Sequence, residues 1–363
     1  MHDGGPRPAG SLSTIELEPY APDASTAALA ARLGVRRIAK LDANESAFGP
    51  FPGVREAVAD VLAAANRYPD RGQDLTAAIA IRHSISPENI VVTHGADPLI
   101  GYLCQAFMPP GTQVVIATPS FVTYRQDVIR HGGLPIEVPV RSDGCLDLPA
   151  MLTAIEASTR IVFLCNPNNP TGGYLPADEV EAFLDAVPTD VLVVIDQAYA
   201  EYVGDEPDTG VRLDVGRLNV CYLRTFSKIF GLAGLRVGYL VGPQEIAHAV
   251  GRLRHWYDVT DIAHVAATVS LQQPAEIEIR RDATATARQE LEEIMRSNGL
   301  VPLPSVTGFL LAPTAAATPI ATRLQEHGVL LRTVASGSQE YLRIAVGDAD
   351  DRAQLAAALS AQH

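Results

Sequence analysis

Short apolar runs, largely of β-branched residues, recur along the chain and constrain its folding more than any other feature. They are Ile90–Thr93, Val114–Ala117, Ile161–Cys165, Val191–Ile195, Val220–Arg224 and Val237–Val241. Helical periodicity fills most of the intervals, as in Phe121–His131 and Asp178–Ala186. A run such as Val-Leu-Val-Val-Ile at 191–195 has no polar face, so both sides of that strand must be covered. Strands covered on both faces and alternating with helices predict an α/β fold with a mostly parallel sheet sandwiched by helices. In open sheets of this kind ligands settle beyond the carboxyl ends of the strands. The chemistry-bearing residues should therefore lie just after each run.

The texture changes after about residue 273. Glu276–Ser297 has the pattern of one long charged helix, followed by a strand at Gly308–Ala312 and a helix near Pro319–His327. Strands at Leu330–Val334 and Tyr341–Val346 and a closing helix from Asp348 complete a smaller α+β unit. At 363 residues the chain exceeds the usual size of one core. The expected division is a large domain over 42–272 and a small domain built from 273–363 and an N-terminal arm, 1–41. Residues 1–12, rich in Gly, Pro and Ser, are expected to drape loosely.

With 28 basic against 42 acidic residues the formal charge is −14, which argues against nucleic acid or an anionic membrane as partner. A few local arginines still suffice for a small anion. Cys104, Cys145, Cys165 and Cys221 have no C-x-x-C spacing, and two of them sit inside apolar runs; buried free thiols are expected, with no disulfide framework and no metal site. No segment supplies a signal-peptide core or about 18 apolar residues for a membrane span, so a cytoplasmic location is expected.

Four strand ends carry unusual residues. Strand 191–195 delivers Asp196, with Tyr199 three residues on. Strand 161–165 runs into Asn166-Pro-Asn-Asn-Pro-Thr-Gly172, where two prolines stiffen the loop that carries Asn169. Strand 220–224 leads to Thr225, Ser227 and Lys228; between Arg224 and Arg236, Lys228 is the only basic residue in an apolar, glycine-containing stretch. Strand 90–93 leads to His94-Gly95-Ala96-Asp97-Pro98, with Asp97 expected as N-cap and Pro98 as the first helical residue. Each has a plain alternative: a cap for Asp196, a turn for any four loop residues, a solvated lysine, a capped helix that binds nothing, a core aromatic for Phe121. Together they meet one requirement set, that of pyridoxal 5'-phosphate (PLP). An amine whose pKa falls on burial can form an imine, and an acid can hold a proton on the ring nitrogen. Tyr199 can serve the phenolate oxygen, the stiff loop can aim Asn169 at the ring, and Phe121 can stack on it. Thr225, Ser227, Arg236 and the free N–H groups of a helix start can take the phosphate.

In the order and number of its motifs the chain resembles the class I/II aminotransferases of PLP fold type I, and most closely the histidinol-phosphate aminotransferases. The resemblance spans nearly the whole chain. It runs through Pro19-Tyr20-Ala-Pro22, Leu41-Asp-Ala-Asn-Glu-Ser46, Phe48-Gly-Pro50, Arg67-Tyr-Pro-Asp70, Gly95-Ala-Asp97, Cys-Asn-Pro-Asn-Asn-Pro-Thr-Gly at 165–172, Asp196–Tyr199, Ser227-Lys228, Leu330-Leu-Arg332 and Tyr341-Leu-Arg343-Ile. It implies a mostly parallel, seven-stranded sheet and makes Lys228 the Schiff-base lysine, Asp196 the ring-nitrogen partner, and Tyr199 and Asn169 the phenolate donors. Phe121 takes the stacking place that is often Tyr, while Gly95, Ala96, Asp97, Thr225, Ser227 and Arg236 fall at the phosphate. Tyr68 is implied to reach the phosphate of a neighbouring subunit, which makes the active unit a homodimer. Arg343 is implied to grip the substrate α-carboxylate, with Tyr20 and Arg332 at the distal end and Asn44 and Tyr257 also in the substrate set. The implied reaction is transamination between an amino donor and a 2-oxo acid.

The sequence departs from the family pattern in four places. Gln197 stands where Glu is usual, Pro98 where an acidic residue is usual, Trp256 where Pro is usual, and Asp258 where Asn or Thr is usual. Asp258 would repel a phosphorylated substrate if it faced the pocket. An aminotransferase for an aromatic, imidazole-bearing or cationic amino acid is the competing reading, followed by a PLP-dependent lyase, decarboxylase or cyclase. A PLP-binding regulator needs a DNA-binding module for which the stretch before residue 41 has no room. A dinucleotide-dependent dehydrogenase lacks its G-x-G-x-x-G after a strand, and the metalloprotease and esterase motifs are absent.

Overall fold

The computed structural model describes residues 25–204 and 213–361. Seven strands form the central sheet: β1 (Ile90–Thr93), β2 (Gln113–Thr118), β3 (Leu134–Pro139), β4 (Thr159–Cys165), β5 (Leu192–Asp196), β6 (Val220–Thr225) and β7 (Gly238–Val241). Their order is β1-β7-β6-β5-β4-β2-β3. All neighbours are parallel except at β7, which runs antiparallel to both β6 and β1. A parallel return needs a crossover of a dozen or more residues, usually helical. The link between β6 and β7 holds no α-helix to carry the chain across the sheet, only the 3-10 turn Ala233–Leu235, so it doubles back. The expected apolar runs match six of the seven strands to within two residues at each end.

The seventh, β3, lay outside those expectations. It carries Pro135 and Pro139 and alternates irregularly between covered and open positions. It is the sheet edge, where a proline costs no ladder hydrogen bond. Inside the sheet the period of two sorts the side chains: Val193 and Ile195 enter one apolar cluster, Leu192 and Val194 the other. Each fully buried Val, Leu or Ile stabilises by about 1.5–3 kcal/mol, so this double cover is the main force fixing the sheet.

A second, three-stranded antiparallel sheet has the order β9-β10-β8, with β8 (Phe309–Pro313), β9 (Arg332–Ser336) and β10 (Gln339–Ala345). The expected strand 330–334 is in fact divided. Val329–Leu330 pairs in parallel with Ala39–Lys40, and Arg332 begins β9. A third apolar cluster joins Ala39 and Leu41 to Leu291, Leu310, Leu342 and Leu355, so the chain preceding the large sheet packs with the chain that follows it. Pro274–Ser297 is one helix, and the closing helix Ala349–Ser360 starts on an Asp348–Asp351 capping box.

Candidate active site

The sheet brings Thr93, Cys165, Asp196 and Thr225 to one edge, because β1, β4, β5 and β6 point the same way. Gly238 begins β7 there, opposite both Thr93 and Thr225, which places Arg236 at the same edge. Residues far apart in sequence thus meet through strand direction alone.

Asp196 is buried, 5% exposed. Its Oδ2 accepts from the Tyr124 hydroxyl at 2.6 Å and its Oδ1 from the Ala198 N–H at 2.9 Å. Burial holds this carboxyl above the usual carboxylate range, against the opposing pull of those two donors. Lys228 points into the same space; its Nζ donates to the Asn44 carbonyl at 3.2 Å and lies 5.5 Å from the centre of the Tyr199 ring. Desolvation, and then the charges of Arg343 and Arg236, push its pKa down to about 8. An amine in that range supplies the neutral nucleophile that imine chemistry needs.

A polar network closes the opposite wall. Asn44, in left-handed backbone at φ 52°, donates through Nδ2 to the Tyr199 hydroxyl at 3.1 Å and to Asn169 Oδ1 at 3.4 Å. Arg343 Nη1 donates to the same Asn169 oxygen at 2.9 Å, and its Nη2 to the Asp42 carbonyl. Burial lowers the Arg343 pKa and raises that of Tyr199. Beside this wall opens a cleft of about 640 Å³ whose lining includes Asp42, Phe121, Asn169, Arg332 and Arg343.

The remaining group is an anion cradle. The helix Asp97–Phe107 begins one residue earlier than expected: Ala96 is the N-cap, Asp97 the first helical residue, and no side chain caps the exposed N–H groups. Asp97 as N-cap is thereby corrected; with Pro98 in the first turn the chain enters the helix directly from Ala96. Uncapped N–H groups carry positive partial charge and invite an anion. Arg236 Nη1 meets Ser227 Oγ at 3.4 Å, Thr225 Oγ1 donates to Ser227 Oγ at 3.0 Å, and the Ser227 N–H donates to Thr225 Oγ1 at 3.1 Å. Gly95, at φ +103°, comes so close to this arginine that a Cβ would lie 2.6 Å from Nη2. Backbone and guanidinium converge on one small volume.

These residues fit PLP: an acid at one end, an amine on the flank, two donors opposite, an aromatic in the wall and an anion cradle. The buried Oδ1 of Asn44 and Nε of Arg343, which make no hydrogen bond here, fit as well, since both belong to the wall facing the ring and its substrate. The family model for aminotransferase class I and II matches residues 36–359. This chain belongs to that family. The aminotransferase is 38% identical to a histidinol-phosphate aminotransferase of Shouchella clausii over 92% of this chain and 91% of that protein. It is 41% identical to an aromatic amino acid aminotransferase of Rhodococcus jostii over 89% and 90%. The crystal structure of histidinol-phosphate aminotransferase from Sinorhizobium meliloti in complex with pyridoxal-5'-phosphate superposes with a TM-score of 0.88 at 29% identity, over 99% of each chain. The protein is accordingly a PLP-dependent aminotransferase of the histidinol-phosphate aminotransferase type.

Not every expected residue of this aminotransferase meets in the cleft. Tyr20 lies outside the described residues. Tyr68 is 75% exposed and stacks on Tyr257, with ring centres 4.3 Å apart. Tyr257 lines a second cavity, of about 900 Å³, with Trp256 and His264 rather than the cleft of Arg332 and Arg343. The departures also find their places. Asp258, whose side chain is 5% exposed, is directed onto His94 and not towards the cleft. Gln197 is buried in a cavity lined with Arg82, Arg217 and Tyr222, apart from the cleft residues. Trp256 is 86% exposed.

Tyr124 escaped the sequence reading as a functional residue. Its signal is its spacing: it lies three residues after Phe121 and on the helix Val122–Arg130, so the two side chains share one helix side. Their rings meet edge to face at 5.7 Å, and Tyr124 stacks on Phe163 at 4.8 Å. Among the described residues no cluster of His, Cys, Asp or Glu could hold a metal, and no helix is long and apolar enough to cross a membrane.

Proposed function

We propose that the enzyme exchanges an amino group between an amino alcohol phosphate of the histidinol phosphate type and a dicarboxylic 2-oxo acid such as 2-oxoglutarate. The observation that carries this reading is the pairing of Arg332 with Arg343, direct cross-strand partners on β9 and β10 that both line the cleft. Like charges placed directly opposite each other cost stability, and the Arg332 charge adds to the lowering of the Arg343 pKa. Two guanidiniums so placed suit a ligand of double negative charge: the two carboxylates of the acceptor, or the phosphate of the donor. Asp258, committed to His94, leaves a phosphorylated donor unopposed.

Bound PLP supplies the carbonyl that captures the amine and the ring that accepts the electron pair from the α-carbon. Lys228 would hold the cofactor through Nζ, and the same nitrogen, when free, would take the substrate α-proton and return it. Asp196, held by Tyr124 and Ala198, keeps the ring nitrogen protonated. Tyr199 and Asn169 would donate to the phenolate oxygen and Phe121 would stack on the ring. Gly95, Ala96, Asp97, Thr225, Ser227 and Arg236 would hold the phosphate. Arg343 would grip the α-carboxylate of the acceptor and Arg332 the distal anion, with Tyr20 and Asn44 completing the substrate set; Tyr257, stacked on Tyr68, would act with it at the neighbouring site. Tyr68 serves the neighbouring site of a homodimer, which its exposure supports. The large domain covers 42–272, with 1–41 and 273–363 forming the small one. The location is cytoplasmic and the role is in amino-acid biosynthesis.

An aromatic amino acid as donor is the second reading, favoured by the 41% identity to the Rhodococcus jostii protein. A half-reaction panel decides: the PLP form is mixed with histidinol phosphate, phenylalanine, tyrosine, histidine and arginine, and conversion to pyridoxamine phosphate is followed by absorbance. Fastest conversion by histidinol phosphate is expected. Faster conversion by phenylalanine or tyrosine transfers the assignment to the aromatic reading. Release of a carbonyl product or CO2 without pyridoxamine phosphate ends both.

A further inference from the structure

The strand end that enters the anion cradle is fastened from outside the sheet. Thr93–Gly95 is a tight loop in which the Gly95 N–H donates to the Thr93 carbonyl at 2.8 Å and Thr93 Oγ1 donates to the Gly95 carbonyl at 2.7 Å. Only His94 projects from it, and one distant carboxylate takes that residue twice. Asp258 Oδ2 accepts the His94 N–H at 3.2 Å, and Oδ1 meets His94 Nδ1 at 2.5 Å. The segment bearing Asp258 is itself anchored on both sides. Arg254 Nη1 donates to the Val92 carbonyl at 3.0 Å, and Asp261 Oδ1 accepts the N–H groups of Asp70 at 3.1 Å and Arg71 at 3.0 Å. Between these anchors Tyr257, at φ 59°, stacks on Tyr68.

Burying a carboxylate is costly unless its oxygens are satisfied, and a negative charge near an anion cradle works against the anion. A carboxylate at this position is therefore a poor choice for simple packing. Its two oxygens, however, hold one residue by backbone and ring together, which fixes both the position and the tilt of the loop. The next residue, Gly95, leaves no room for a side chain, because a Cβ there would lie 2.6 Å from Arg236 Nη2. A loop displaced by a fraction of an ångström would separate the helix N–H groups from Arg236, and those two donor sets must act on the same phosphate.

We propose that Asp258 is a positioning residue which, through His94, holds Gly95–Asp97 in register with Arg236 and so sets the affinity for the PLP phosphate. This rests on the assignment of that cradle to the phosphate. The segment Arg254–Asp261 then does two jobs: it sets the phosphate loop of its own site and presents the Tyr257–Tyr68 face.

The test uses full-length apoprotein of the wild type, Asp258→Ala, Asp258→Asn, His94→Ala and the double alanine variant. PLP affinity is measured by equilibrium dialysis and apoprotein stability by thermal unfolding. Asp258→Ala and His94→Ala should each raise the PLP Kd tenfold or more. The double variant should be no worse than the weaker-binding single, because the two residues act as one unit. Asp258→Asn keeps an acceptor for the His94 N–H and should recover part of the loss. A purely structural role would lower the melting temperature while leaving Kd within twofold of wild type, and that result overturns the proposal. If Asp258→Ala does not fold, His94→Ala decides, since its side chain is already 43% exposed. Inorganic phosphate is titrated as competitor against wild type: failure to compete with PLP refutes the cradle itself, whereas competition with unchanged variant affinities refutes only the role of Asp258.

Discussion

Replacing Tyr124 by Phe removes one oxygen from a fully enclosed position and leaves the ring stacked on Phe163. The oxygen is one of two donors that satisfy the Asp196 carboxylate. A hydrogen bond to a charged, buried group contributes about 1.5–3 kcal/mol, and 1.36 kcal/mol corresponds to one pKa unit, so the Asp196 pKa should rise by about one to two units. Because burial already raises this pKa, the ionised form strains the folded apoprotein, and the strain appears as pH rises through the folded value. The variant should therefore lose stability relative to wild type by about 1.5–3 kcal/mol more at pH 8 than in acid, where Asp196 is protonated in both. In the loaded enzyme the more basic Asp196 carboxylate would draw the ring proton onto itself and leave the ring a weaker electron sink, and the half-reaction should slow by about tenfold to a hundredfold. Chemical denaturation of the apoprotein across pH and single-turnover kinetics measure the two effects. A stability loss independent of pH, together with a half-reaction within twofold of wild type, would refute the argument.

Lys228→Ala should abolish the absorbance band of the lysine-linked cofactor and reduce turnover by about a thousandfold or more, read by spectrum and steady-state rate. Lys228→Met should stabilise the apoprotein, by up to about 3 kcal/mol at pH 7 and by less above pH 10: a lysine lowered to about 8 costs stability once pH falls through that value, as thermal unfolding across pH will read. Gly95→Ala combines left-handed strain of about 1–2 kcal/mol with displacement of Arg236, and should weaken PLP binding by about tenfold to a hundredfold in equilibrium dialysis. Arg332→Gln should raise the KM for 2-oxoglutarate and for a phosphorylated donor while leaving single-turnover rates with phenylalanine near wild type; equal losses for all three substrates would remove Arg332 from the distal site.

Six of the central strands were legible because a strand covered on both faces must be apolar throughout, and such runs are conspicuous in a polar chain. The meeting of Lys228, Asp196, Asn169 and Thr225 at one edge was legible for a related reason: each follows one of those runs, and strands that point the same way bring their ends together. Local pattern failed where burial was asymmetric or pairing was remote. The edge strand β3 hides behind prolines that only an edge tolerates, and the break between Leu330 and Arg332 depends on a partner at Ala39–Lys40. Strand direction is likewise a property of connections, so the antiparallel β7 is decided by the short link that precedes it. The sequence by itself thus determined the layered α/β architecture and the edge at which the polar strand-end residues gather, both of which follow from periodicity and solvation. Only the tertiary structure decided which groups touch: Tyr124 on Asp196, Asn44 between Lys228 and Tyr199, Arg332 opposite Arg343, and Asp258 turned onto His94 instead of into the cleft. Apart from the arginine pair, which one hairpin brings together, those contacts join segments far apart in the chain, and their hydrogen bonds are set by distances that no local periodicity encodes.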